Sequence, residues 1–199
     1  MTVQNSVVVR DNRNDSKETT IGVSAVLQIR TGAQPATCAT AASGTLLGSA
    51  TLPSDWLSNS SGGTKSKLGT WSGTASATGV AGHYRILDST ATTCHEQGSI
   101  VQAVALTTSA SSAANSNVLT FAATTGVAVG QLATGTGIIA NSTVLAFTGT
   151  TVTLSQASTA GVSITTSISF GGDMNIDNAS LANLQAFTVT AYAFTASGA

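Results

Sequence analysis

From Gln97 to Gly172 the sequence holds no Lys, Arg, Asp or Glu, and Thr, Ser, Ala, Gly and Val fill almost every position. Ordinary globular domains keep roughly a quarter of their residues charged. A stretch this long without charge must either cover itself with partners or solvate itself through hydroxyls. β-branched Thr and Val suit a pleated sheet, and no helical periodicity of Leu or of Glu–Lys pairs runs through the segment. A small all-β unit is expected there.

The rest of the chain differs. Every Lys and Arg lies at or before Arg85, so the 199 residues divide more naturally into two units than one. Regularly placed Val, Ile, Leu and Phe supply the apolar surface that a disordered Ser/Thr tract lacks. The net charge is −1 and no basic cluster extends beyond Arg10, Arg13 and Lys17, which leaves nucleic acid little to bind. Met1–Arg10 lacks a secretory signal pattern and no apolar run approaches a membrane span, so no membrane partner and synthesis in a host cytoplasm are expected. Cys38 and Cys94 are either a disulfide or two thiols; cytosolic synthesis favours thiols without deciding the matter.

Alternation places the strands. Val23, Ala25, Leu27 and Ile29 alternate with Ser24, Gln28 and Arg30, which predicts a strand over 22–30. Further strands are predicted over 45–52, stopped by Pro53, and over 82–88. Residues 58–67 read as a mobile loop kept wet by Lys65 and Lys67, and 69–78 as its ordered partner anchored by Trp71. Residues 7–20 admit a strand extension, a short helix or a loop, with an extended arm favoured. Phe187 to Phe194 alternate as one long strand. Within the uncharged segment, 118–122 reads as a strand and 126–130 as a turn. Residues 143–147 and 151–155 read as a hairpin, and Val162, Ile164, Ile168 and Phe170 as the buried side of a final strand. The module then spans 104–170, with 1–103 and 171–199 forming one host domain that it interrupts.

These segments carry a resemblance. Leu27–Ala36 (LQIRTGAQPA), Ser43–Leu47 (SGTLL), the Trp-containing Gly69–Gly73 and the closing Gln97–Ile100, Asp173–Asp177 and Thr188–Thr190 resemble a family of tailed-bacteriophage virion proteins that includes head decoration, or cement, proteins. Leu119–Ala122, Gly126–Gly130, Gly135–Ile138 and Gly149–Ser155 are similar to a β-module that recurs in phage structural proteins. The polar stretch Arg10–Thr20 departs from the family pattern, where a more apolar segment often stands. The resemblance implies a β-protein that binds the major capsid shell, stabilises it and displays the module on the virion exterior.

Chemical motifs point to no reaction. Gly135-Thr-Gly-Ile-Ile-Ala140 matches a dinucleotide fingerprint in letters, but no acidic residue follows before Asp173, so a glycine turn is the better reading. Asp173, Asn175 and Asp177 alternate like calcium-loop ligands, yet Asn178 and Leu184 stand where the loop glycine and bidentate glutamate belong, which favours a polar turn. Cys94, His95 and Glu96, with His83 and Cys38, supply enough zinc-ligand types. Consecutive strand residues face opposite ways, however, and a shared ion is disfavoured. No nucleophile elbow and no carboxylate pair is evident. Trp56, Trp71, Tyr84 and Tyr192 suit a sandwich core better than a carbohydrate platform.

The sequence thus predicts an all-β chain: a β-sandwich host domain, of which a jelly roll is one form, with a small inserted all-β domain. It is expected to be a non-enzymatic decoration protein without catalytic residues, cofactor or metal, bound to the major capsid protein as a homo-oligomer, a dimer or trimer. The alternative is a tail or fibre component that recognises a host surface glycan. Leu27, Ile29, Trp71, Ile86, Val189 and Tyr192 are the residues expected to anchor the host core.

Overall fold

In the computed structural model, which describes residues 4–196, the chain is mostly β, with one helix. Helix α1 (Val7–Ile21) comes first, then β1 (Val26–Thr31), β2 (Leu46–Thr51), β3 (Thr64–Ser66), β4 (Ser72–Ala75), β5 (Gly79–Leu87) and β6 (Cys94–Gln102). The uncharged segment holds β7 (Val104–Ala110), β8 (Val118–Phe121), β9 (Leu132–Gly135), β10 (Val144–Phe147), β11 (Thr151–Leu154) and β12 (Ser167–Gly171). β13 (Met174–Ile176), β14 (Ser180–Leu181) and β15 (Ala186–Thr195) follow. Residues up to Val101 and from Asp173 onward form one compact unit, and Gln102–Gly172 form another.

The first unit corrects the sandwich expectation, because its sheet closes on itself. Strands run in the order β1-β2-β4-β15-β13-β6-β5, and β1 pairs with β5 as well as with β2, giving a closed seven-strand mixed barrel. Closure removes the free edges that a sandwich would have to protect. The β1–β5 contact joins residues 50 or more positions apart, such as Ile29 and Tyr84, and local alternation carries no trace of such a pairing.

Glycines opposite large rings make the interior fit. Gly73 pairs with Phe187, and a Cβ on Gly73 would stand 2.7 Å from the ring. Gly98 pairs with Tyr84 in the same way, also at 2.7 Å. Each ring lies over the bare backbone of its neighbour, which lets the barrel bury aromatic side chains without widening. Leu27, Ile29, Trp71, Ile86, Val189 and Tyr192 all lie in this core.

Several local expectations change. The favoured extended arm over 7–20 is instead α1, with Ser6 Oγ accepting from the Val9 amide at 3.4 Å and Gly22 closing the helix at φ +89°. The first strand begins at Val26, because Ser24 takes φ +55° and turns the chain. The expected mobile loop over 58–67 contains β3, which pairs with the end of β15, and Lys65 within it is buried rather than wet.

The second unit is a six-strand antiparallel sheet in the order β10-β11-β8-β7-β12-β9. A T-shaped contact between Phe121 and Phe170, with ring centroids 5.7 Å apart, lies in its core among Leu119, Val152 and Ile168. The 143–155 hairpin is present as β10 and β11. The expected single strand from Val162 to Phe170 is interrupted, since Thr165 has φ +66°. Val162 bridges to Ser112, while β12 starts only at Ser167.

Candidate functional site

Helix α1 is held to the barrel by polar groups. Asp11, Asn14, Asp15 and Glu18 recur at the i, i+3, i+4, i+7 spacing of one helix face, and that face meets the segment around β3. Asp11 Oδ1 accepts from the Gly63 amide at 2.7 Å and from Ser60 Oγ at 2.8 Å. Asn14 Nδ2 donates to the Gly63 carbonyl at 2.7 Å. Glu18 Oε1 accepts from the amides of Trp56 and Leu57 at 2.9 and 3.0 Å. Lys65, only 3% exposed, reaches Asp15 at 2.9 Å and Glu18 at 3.1 Å. The side chain of Lys65 and the Ser60 amide hold the Asp15 carboxyl below the ordinary range. Burial opposes the charge on Lys65, yet hydrogen bonds and attraction from Asp15 and Glu18 outweigh it and raise its value.

One turn along the helix, Lys17 enters an aromatic cluster of the barrel. Its Nζ lies 2.5 Å from Glu96 Oε2, 2.8 Å from the Tyr192 hydroxyl and 3.6 Å from the centre of the Phe194 ring. The hydroxyls of Tyr84 and Tyr192 donate to Glu96 Oε1 at 2.8 and 2.6 Å. Trp71 stacks obliquely on Tyr192 and Trp56 on Trp71, with ring centres 5.3 and 5.7 Å apart. Burial, reinforced by the Glu96 charge, pushes both tyrosine hydroxyls far above their ordinary value. Both hydroxyls therefore stay protonated at physiological pH and donate to Glu96, while that of Tyr192 also accepts from Lys17. The cluster is therefore suited to fixing α1 in place.

Glu96 points inward by ordinary alternation with Gly98, and a β-bulge lies next to it. Ile86 pairs with Glu96 but Leu87 pairs with Cys94, so His95 is the extra residue on β6. Cys94 thereby faces away from Glu96, toward the loop between β1 and β2. On the same outer side, Arg85 donates through Nη2 to the carbonyls of Cys38 and Thr40 at 2.6 and 3.1 Å, and Gln97 Nε2 donates to the Pro35 carbonyl at 2.5 Å. His83 Nδ1 lies 3.0 Å from the Gly32 carbonyl. These side chains bind the 32–44 loop over β5 and β6. The strand predicted over 82–88 gave no sign that a loop covers His83 and Arg85.

The Asp173–Asp177 stretch, expected as a polar turn, is instead centred on strand β13, with Asn175 in its pairing with β15. Asp173 Oδ2 accepts from both the amide and hydroxyl of Ser99 at 2.8 Å, and Asp177 Oδ1 accepts from the Thr188 amide at 3.0 Å. Gly137, at φ +84°, lies in a turn closed by the Ile138 amide on the Gly135 carbonyl at 3.1 Å. Among the described residues no group of three His, Cys, Asp or Glu side chains is placed to hold a metal ion, and no helix is long and apolar enough to cross a membrane. A recess of about 540 Å³ beside α1 is lined by Asp15, Glu18, Asp55 and Lys65; Asp15, Glu18 and Lys65 there are already paired with one another.

Trp56, Trp71, Tyr84 and Tyr192 are all buried in the barrel, and Gln102–Gly172 contains neither Trp nor Tyr. The second unit exposes aliphatic side chains and one ring: Val118, Val129, Leu145, Phe147 and Ile164. Comparison with protein families, curated proteins and solved structures finds no match for this chain.

Proposed function

We propose that the chain is a bacteriophage capsid decoration protein, with the barrel as the element that attaches to the major capsid protein and the uncharged unit as the element displayed outside. The observation that carries this reading is the way the second unit joins the first. The chain leaves the barrel at the end of β6 and re-enters at β13, and these two strands are hydrogen-bonded neighbours in the barrel sheet. The Ser99–Asp173 hydrogen bonds tie the exit to the re-entry. An insertion anchored on adjacent strands leaves the host sheet intact, so one barrel can bear a separate unit without giving up its attachment surface.

The composition supports the same reading. A surface of Thr, Ser and Ala hydroxyls and methyls, without charge over Gln102–Gly172, gains solubility without long-range fields. Many copies on a regular shell, each bound modestly as a dimer or trimer, reinforce it through avidity. The glycan-binding alternative has less support, because aromatic platforms for sugars use Trp and Tyr faces, and those rings are core residues here.

Quantitative protein analysis of purified particles tests the proposal. A decoration protein is present in copy number comparable with the major capsid protein. A fibre component is present at a small fraction of it, and that result would reject the assignment.

A further inference from the structure

Cys38 and Cys94 are 56 positions apart in sequence, yet their Sγ atoms stand 3.1 Å apart. Both thiols are free and half-buried. That separation is only about 1 Å longer than a disulfide bond of roughly 2.05 Å. Neither backbone depends on the sulfur contact for its position. Cys38 is held by the Arg85 bond to its carbonyl, and its loop by Gln97 on Pro35 and Arg85 on Thr40. Cys94 is held in the β5–β6 ladder, where the bulge at His95 turns it toward the loop.

We propose that Cys38 and Cys94 form an oxidative modification site that takes a small-molecule disulfide as co-substrate and staples the 32–44 loop to the start of β6. One protein thiolate attacks the small disulfide RSSR, breaking its S–S bond and expelling RS⁻, which takes up a proton. The second protein thiolate attacks the protein-bound sulfur of the mixed disulfide, forms the Cys38–Cys94 bond and expels the second RS⁻. Two protein thiols are oxidised, one RSSR is reduced to two RSH, and both thiol protons end on the RSH. In a reducing cytoplasm the pair stays open, and in an oxidising medium it closes. Burial, with the adjacent Cys94, pushes the Cys38 thiol up to about 12, which disfavours Cys38 as the thiolate that attacks first.

The test incubates the reduced full-length chain with oxidised glutathione to equilibrium and reads intact mass, peptide connectivity and thermal unfolding. The expected product is a monomer lighter by two hydrogens, cross-linked between Cys38 and Cys94. Its Tm should be higher by at least about 5 °C, because the bond closes a long loop in the unfolded chain. The single variants Cys38→Ser and Cys94→Ser should each stop at one glutathione adduct with no rise in Tm. The wild-type mass and Tm decide the matter even if a variant does not fold. Glutathione on both sulfurs, a cross-link between chains, two unreacted thiols or a bond that lowers Tm would each overturn the proposal.

Discussion

Lys17 on α1 and Glu96 on β6 meet at 2.5 Å beside the ring of Phe194, and this pair couples the helix to the barrel interior. Their side chains are 23% and 15% exposed, between a surface pair and a buried one. Loss of one partner leaves a desolvated charge, whereas removal of both leaves a polar cluster that the tyrosine hydroxyls still satisfy. A double-mutant cycle with Lys17→Met and Glu96→Gln should therefore give a coupling of about 1–3 kcal/mol in chemical denaturation. A coupling near zero would mean that the pair is a surface contact of no consequence.

The polar seat of α1 should make its docking pH-dependent. Asp15 is held below its ordinary 3.8, so its contribution is complete above that value and is lost as pH falls through the lower folded value. Lys65 is held above its ordinary 10.5, so its contribution is complete below that value and is lost as pH rises through the higher folded one. Amide protection along α1, with the intrinsic pH dependence of exchange divided out, should thus fall at both ends, below about pH 4 and above about pH 10.5. Asp88, held low by the Thr92 amide and the Thr90 hydroxyl, also loses its contribution in acid, but far from the helix in sequence. Comparison with Asp15→Asn isolates the helix effect: the variant should show much less of the acid-side change in protection. An unchanged acid profile would remove Asp15 from the account.

Trp71 joins the barrel wall to the aromatic cluster. It is fully buried, packs between Trp56 and Tyr192, and donates its indole N–H to the Leu68 carbonyl at 3.0 Å. Trp71→Ala should cost about 3–5 kcal/mol in denaturant unfolding. A cost below about 1 kcal/mol is incompatible with a ring enclosed on all sides.

Strands with one buried face were legible in the sequence, and the reasons are local. Leu27 and Ile29, Phe187 and Val189, and the hairpin around Gly149 alternate or turn by their own chemistry. β6 was not legible, because its inward face carries Glu96 and Gly98 in place of apolar residues. α1 was missed for a related reason. Its buried face is written in Asp, Asn and Glu at helical spacing, so a search for apolar periodicity passes over it, although Ser6 and Gly22 are ordinary capping signals. Barrel closure and the loop over Arg85 depend on contacts between distant segments, and no window of sequence contains them. The Cys38–Cys94 proximity follows from the same two features, so the sequence could only leave that pair open.

The proposed division of labour gives attachment to the barrel and display to the uncharged unit. It is tested by a chain in which residues 104–170 are replaced by a short Gly-Ser linker, which adjacent β6 and β13 should accommodate at little entropic cost. The measurement is saturable co-sedimentation of the full and shortened chains with phage heads that lack this protein. Under this division both bind with the same stoichiometry, and the shortened chain retains its β spectrum. A shortened chain that keeps its fold but no longer binds would contradict it, and would make the uncharged unit the attachment element.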